Sequence, residues 1–192
     1  MGKRKKIEPW VEAIEQALDL GRFISYNQSW DFVRDLEEVK GKIDALVEQG
    51  EAQNAVGLYE IFISGCYEKA EEIDDSGGNL GMFAQSLFIS WLKARQKAKY
   101  RADETVKYII NWIKNDNYGF CYKIEKDLAQ TLNKEEFLLF RKHFQDQFNT
   151  AFAPFKDQGP KYIYDYPPEV YRVVDVLKEI YIAKKDVNPI VA

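Results

Sequence analysis

Apolar residues recur at steps of three and four through most of this chain, and that period predicts helix after helix. The clearest stretch runs from about Glu51 to Asp74, where Ala55, Tyr59, Phe62, Ile63, Cys66, Ala70 and Ile73 fall on one face. Burying such a stripe contributes on the order of 10 kcal/mol gross, at about 1.5–3 kcal/mol per large side chain. Its internal glycines, Gly57 and Gly65, cost only about 1 kcal/mol each and are expected to admit a close neighbouring helix. Upstream, Trp10, Ala13, Ile14, Ala17 and Leu18 predict a short helix opened by Pro9 and closed at Gly21. Asp31 to Gln49 carries Phe32, Val33, Leu36, Val39, Ile43, Leu46 and Val47, with Glu38 and Lys42 spaced for an i,i+4 pair.

The second half repeats the pattern. Leu80 to Ala98 carries Phe83, Ala84, Leu87, Phe88, Trp91 and Leu92. Asp103 is expected to cap a helix holding Val106, Ile109, Ile110 and Ile113, which ends near Asn115–Asn117. A weaker helix is predicted around Cys121 to Leu132. Asn133 and Glu136 then form an N-x-x-E capping arrangement ahead of Phe137, Leu138, Phe140, Phe144 and Phe148. Pro168 opens a last helix with Val170, Val173, Val174, Leu177, Ile180 and Tyr181. No stretch alternates convincingly with period two; Tyr162 to Tyr166 comes nearest, and two prolines end it. About eight helices without strands predict an all-α fold, packed as antiparallel pairs in a helical-repeat array, an α-α superhelix. Residues 1–7 read as a basic flexible tail, and 8–192 as one helical domain.

Composition narrows the class further. The 192 residues are 46% hydrophobic and 15% aromatic, far more burial than a disordered chain carries. No apolar window approaches the roughly 18 residues of a membrane span, so no membrane partner is expected. The basic start, Met1 to Lys6, mimics the front of a secretory signal, but Glu8, Glu12, Glu15 and Asp19 fall where such a signal needs an unbroken apolar run. With 27 basic against 31 acidic residues, the net charge of −4 lacks the footprint of a nucleic-acid binder, and no such partner is expected. Cys66 and Cys121, with His143 as the one histidine, are too few for a four-ligand zinc site. They read as reduced core thiols of a cytoplasmic protein. No cofactor is expected.

One segment breaks a local rule. Glu71-Glu72-Ile-Asp-Asp-Ser-Gly-Gly-Asn-Leu-Gly81 crowds carboxylates at a helix C-terminus, where the macrodipole favours cations. One reading is a hard-cation site at Glu71, Asp74 and Asp75. An EF-hand loop counted from Asp74 fails, because Gln85 occupies the position of the bidentate glutamate. The other reading is a turn motif of Asp74, Asp75, Ser76, Gly78 and Gly81. In it Gly77 and Gly78 supply positive φ, Asp75 or Ser76 bonds nearby backbone, and Asn79 caps the next helix.

Ile73-Asp-Asp-Ser-Gly-Gly-Asn-Leu-Gly81 resembles the Asp-Asp-Ser-x-Gly-x-hydrophobic-Gly motif of an uncharacterised bacterial all-helical repeat family, whose regions also occur beside SWIM-type zinc fingers. Arg22-Phe-Ile-Ser-Tyr26 is similar to the family's stretch before its second helix. Leu177-Lys-Glu-Ile180 with Asp186-Val187 looks like a later helix end. The variable slot, often acidic in that pattern, is Gly77 here, and the zinc-finger cysteines are absent. The resemblance implies a helical-repeat fold and no catalytic residues.

Three further segments offer surfaces. Lys93, Lys97 and Arg101 stand at i,i+4 steps beside Arg95 and Lys99, a basic helix end suited to anions or nucleic acid as an alternative function. The aromatic, proline-rich stretch Phe152 to Pro168 either wraps the core or offers Tyr162, Tyr164 and Tyr166 to a protein partner. The end of the chain carries Ile190-Val191 without a charged cap, so the array continues, or a partner such as a second copy in a homodimer covers this edge, or Ile190 and Val191 fold back onto the last helix. His143, among cations and beside Phe144, has no nucleophile motif around it. No catalytic residue is assigned, and the expected function is a helical-repeat interaction module that binds another protein.

Overall fold

The computed structural model describes residues 7–157 and 165–184. Its helices are α1 (Glu8–Leu18), α2 (Tyr26–Glu48), α3 (Ala52–Lys69), α4 (Asn79–Lys97), α5 (Ala102–Lys114), α6 (Glu125–Thr131), α7 (Lys134–Phe152) and α8 (Pro168–Lys184). Single 3-10 turns follow α3 at Ala70–Glu72 and α7 at Ala153–Phe155. Among the described residues there is no strand, only an isolated parallel bridge between Ile24 and Ile73. The fold is all-α. No described helix is long and apolar enough to cross a membrane.

The chain forms two compact units, and the boundary passes through α5. Among the described residues, the first comprises 7–100 with 111–122, and the second 101–110 with 123–157 and 165–184. In the first, α2, α3 and α4 pack on one another around the stripe read from the sequence. Leu36, Ile43, Tyr59, Phe62, Cys66, Leu87 and Trp91 are all fully buried there. Phe62 meets Phe83 edge-on at 5.3 Å, and Trp112 closes over Phe88 and Trp91 at 4.6 and 4.4 Å. Helix α1 lays Ile14 and Leu18 against α3. A Cβ on Gly65 would stand 2.3 Å from Leu18 Cδ1, so the Leu18 side chain fills the space that any larger residue at position 65 would need. Gly57 has nothing within 4 Å of such a Cβ and carries no comparable constraint.

In the second unit α8 packs against both α6 and α7. Phe140, Leu177 and Ile180 are fully buried, and Phe140 meets Phe144 edge-on at 5.0 Å. The predicted capping box is present. Asn133 Oδ1 accepts the N–H groups of Glu135 and Glu136, each at 3.0 Å, and Glu136 returns a carboxylate oxygen to the Asn133 N–H at 3.0 Å.

Helix boundaries depart from the sequence reading where local caps decide them. Helix α2 starts at Tyr26 rather than Asp31, because Ser25 N–H and Oγ–H both donate to Gln28 Oε1, at 3.4 and 3.1 Å. Helix α3 stops at Lys69, short of Asp74. Helix α6 is brief, and Cys121 precedes it in a turn. Asp103 does not cap α5. It lies inside the first turn and holds the Arg101 guanidinium at 2.8 and 3.0 Å, while the Arg101 carbonyl accepts the Thr105 N–H at 3.1 Å.

Candidate functional site

The chain between α3 and α4 is a turn held by backbone contacts. After its 3-10 turn, Ile73 becomes extended and pairs with Ile24. The Ile24 N–H donates to Glu72 O at 2.9 Å, and the Asp74 N–H to Ile24 O at 2.8 Å. Both isoleucines are buried, which fixes the register. The two segments that carry the family resemblance, Arg22–Tyr26 and Ile73–Gly81, therefore touch each other.

Asp74 Oδ1 accepts the Ser76 N–H at 3.2 Å, and hydrogen bonding from Ser76 holds its carboxyl below the usual range. Asp75 turns the other way. Its Oδ1 accepts the Leu80 N–H at 2.8 Å and its Oδ2 the Gly81 N–H at 3.0 Å, so it satisfies two donors in the first turn of α4. Gly78, at φ 73°, supplies the left-handed residue before the helix. Gly77 does not share that conformation. Its missing side chain makes room instead: a Cβ there would stand 3.0 Å from Tyr26 Cε2.

Asn79 is not the cap that its position suggests. It is buried, and its Nδ2 donates at 2.8 Å to the buried Ser29 Oγ, which in turn donates to Tyr26 O at 2.8 Å. This link ties the start of α4 to α2.

A second loop, Asp116 to Tyr122, repeats the device. Asp116 accepts the N–H groups of Phe120 and Cys121 at 3.0 and 2.7 Å, with Gly119 at φ 77° between them. Tyr67 donates to Asp116 Oδ1 at 3.0 Å, and Tyr118 donates to Glu71 Oε1 at 3.0 Å. Burial, with the charges of Cys121 and Asp116 beside it, pushes the Tyr67 hydroxyl far above its usual range. Burial also pushes the Cys66 thiol up to about 12, so it stays protonated at neutral pH. Both cysteines are free and buried.

Glu71, Asp74 and Asp75 thus spend their oxygens on separate protein donors. Among the described residues no group of three or more His, Cys, Asp or Glu side chains is placed to hold a metal ion.

The basic helix end does not assemble as the spacing suggests. Lys93 and Lys97 are exposed on α4, and Lys97 pairs with Glu48 at 3.3 Å. The helix ends there, and Lys99 turns the chain away at φ 59°. Arg101 is off that helix and is held by Asp103 at 2.8 Å and Glu104 at 3.9 Å. Arg95 is buried, with its guanidinium 4.1 Å from the Tyr100 ring centroid and 4.9 Å from that of Trp91. Tyr166 is half-buried between Phe152 and Phe155, at 5.5 and 5.4 Å, both of them residues of the same stretch. Tyr162, Tyr164, Ile190 and Val191 lie outside the described residues. His143 lies half-buried on α7 with its ring edge-on to Phe144 at 5.4 Å.

What the sequence reading missed is an exposed aromatic group beside the α3–α4 turn. Phe23 is 60% exposed, Tyr26 49% and Trp30 63%. The signal was present. Extending the period of α2 back from Phe32, Val33 and Leu36 places Trp30 opposite the core stripe, and Ser25-x-x-Gln28 marks the earlier start. Met82, Tyr118 and Tyr122 are exposed as well, and Tyr122 O accepts from Gln85 at 2.9 Å. No family model matches the chain, and neither does any curated protein or solved structure.

Proposed function

We propose that this protein is an interaction module that binds another protein through the aromatic residues at the start of α2. One observation carries the reading. Phe23, Tyr26 and Trp30 are exposed within eight residues of chain, on a base held by the Ile24–Ile73 bridge and the Asn79–Ser29 bond. Exposed aromatic side chains on a rigid base are the usual anchors of protein interfaces, because they bury much area at little entropic cost. The helical-repeat family that Arg22–Tyr26 and Ile73–Gly81 resemble would bring an α-α superhelical arrangement, and the packing of α2, α3 and α4 on one another in the first unit is consistent with it. Two buried free thiols support a cytoplasmic setting. The alternative of anion binding at Lys93 to Arg101 has less support, since Arg95 is buried and Arg101 is paired with acids.

Affinity capture from native cytosol with the wild-type chain and with a Phe23→Ser/Trp30→Ala variant tests the proposal. A reproducible partner retained by the first and lost by the second, at unchanged melting temperature, is the expected result. No reproducible partner, or one held equally by both proteins, overturns it.

A further inference from the structure

In the first unit, α1 and α3 leave a groove of about 610 Å³ between them. That volume falls within the roughly 300–1,000 Å³ of pockets that take specific ligands. Its floor is apolar: Ile14, Leu18 and Gly65 lie at the bottom, and Ile61, 39% exposed, forms part of the wall. Its rims are acidic. Glu15 and Asp19 line the α1 side and Glu68 the α3 side. Among the described residues of the lining the one cation is Lys69, which Glu72 already holds at 3.0 and 3.2 Å. The acidic character extends along α1, where Glu8, Glu12, Glu15 and Asp19 are all exposed. Across residues 7–100 and 111–122 there are 10 Lys and Arg against 18 Asp and Glu.

We infer that this groove is a docking site for a cationic amphipathic segment of a partner protein, with apolar side chains on the floor and Lys or Arg over the two acidic rims. At the floor, Leu18 packs into the space that the missing side chain of Gly65 leaves open. Charge complementarity selects the occupant. A neutral apolar peptide would bring methylene groups against carboxylates, an acidic one would be repelled, and a bare polyamine would leave the floor unfilled. The inference rests on lining residues other than Phe23, Tyr26 and Trp30 and does not depend on them.

The test is calorimetric titration of the full chain with a synthetic peptide that places Leu at helical steps of three and four and Lys on both flanks. A scrambled peptide of identical composition and spermine are the controls. The patterned peptide is expected to bind at micromolar concentration, at least about tenfold tighter than either control, and to weaken as salt rises. Glu15→Lys/Glu68→Lys should reduce its affinity by about tenfold or more. Ser64→Trp, a change at an exposed rim position, should do the same by filling the groove while leaving the melting temperature unchanged. Equal binding of patterned and scrambled peptides, or of spermine, would reduce the effect to bare charge attraction and overturn the inference. So would unchanged affinity in both variants. Binding only after removal of Met1–Lys6 would name the chain's own basic tail as the occupant and equally overturn it. Because the aromatic residues are untouched in these variants, failure here leaves the capture experiment above intact.

Discussion

Asp75 holds two backbone N–H groups with one carboxylate, and Asn has only one acceptor atom with which to replace it. The amide nitrogen of an Asp75→Asn variant would face the N–H of Leu80 or Gly81 and leave that donor unsatisfied. The expected loss is about 1–3 kcal/mol in urea unfolding. Asp74→Asn should cost clearly less, because Asn also makes the turn bond to the Ser76 N–H. Equal costs for the two variants would show that the second hydrogen bond of Asp75 contributes nothing. Gly78, at φ 73°, should not accept a β-branched side chain, and Gly78→Val is expected to lose about 1–3 kcal/mol. An unchanged unfolding midpoint would count against the turn geometry. That Asp75, Ser76 and two glycines make a turn was legible from residue types alone. Which carboxylate would cap α4 was not, because Asn79 is the conventional capping residue and only the buried Ser29 hydroxyl draws its side chain elsewhere.

Among the elements, helices with strong apolar stripes were legible, and their ends were readable only where a cap has a sequence signature. Asn133-x-x-Glu136 placed the start of α7, whereas the equivalent Ser25-x-x-Gln28 is masked because the apolar stripe of α2 begins seven residues after the cap. The Ile24–Ile73 bridge joins single residues far apart in sequence and leaves no periodic trace. Glycines inside helices were ambiguous for the same reason, since sequence gives their propensity cost but not their neighbours. Gly65 and Gly57 on α3 separate the two cases. Gly65→Val drives a branched side chain into Leu18 and should cost about 1–3 kcal/mol through overpacking. Gly57→Ala meets open space and should stabilise the protein by up to about 1 kcal/mol through helix propensity. Thermal unfolding of the two variants should move in opposite directions. A loss in both would mean that α3 is constrained along its whole length, not at one crossing.

Taken over the whole molecule, the two units contain acids whose protonation couples to folding with opposite signs. In the first unit, burial works against ionisation of Asp44, but hydrogen bonds from Lys40, Tyr59 and Ser90 outweigh it and hold the carboxyl below its usual range. The Lys40 ammonium stands 2.8 Å away, and the fully buried Tyr59 donates its hydroxyl to the other oxygen. A depressed folded value means that this stability is present above the ordinary value of 3.8 and is lost as pH falls through the folded one. In the second unit, burial pushes Glu125 up with help from the nearby charge of Glu179, against the opposing effects of a hydrogen bond from its own backbone N–H and of Arg172. A raised folded value means that its favourable contribution is complete below the ordinary 4.5 and disappears as pH rises through the folded one. Neither sign is readable from sequence, because each depends on which charges the fold brings to the group. Asp44→Ala should therefore lower the melting temperature at pH 7, and the deficit should shrink as pH drops below about 4. Glu125→Gln should raise the melting temperature at pH 7 and match the wild type below about pH 4.5, where both side chains are neutral. Calorimetric scans across that range decide the point. A Glu125→Gln variant that is less stable than wild type at neutral pH would show that the carboxylate is held by favourable contacts stronger than its burial.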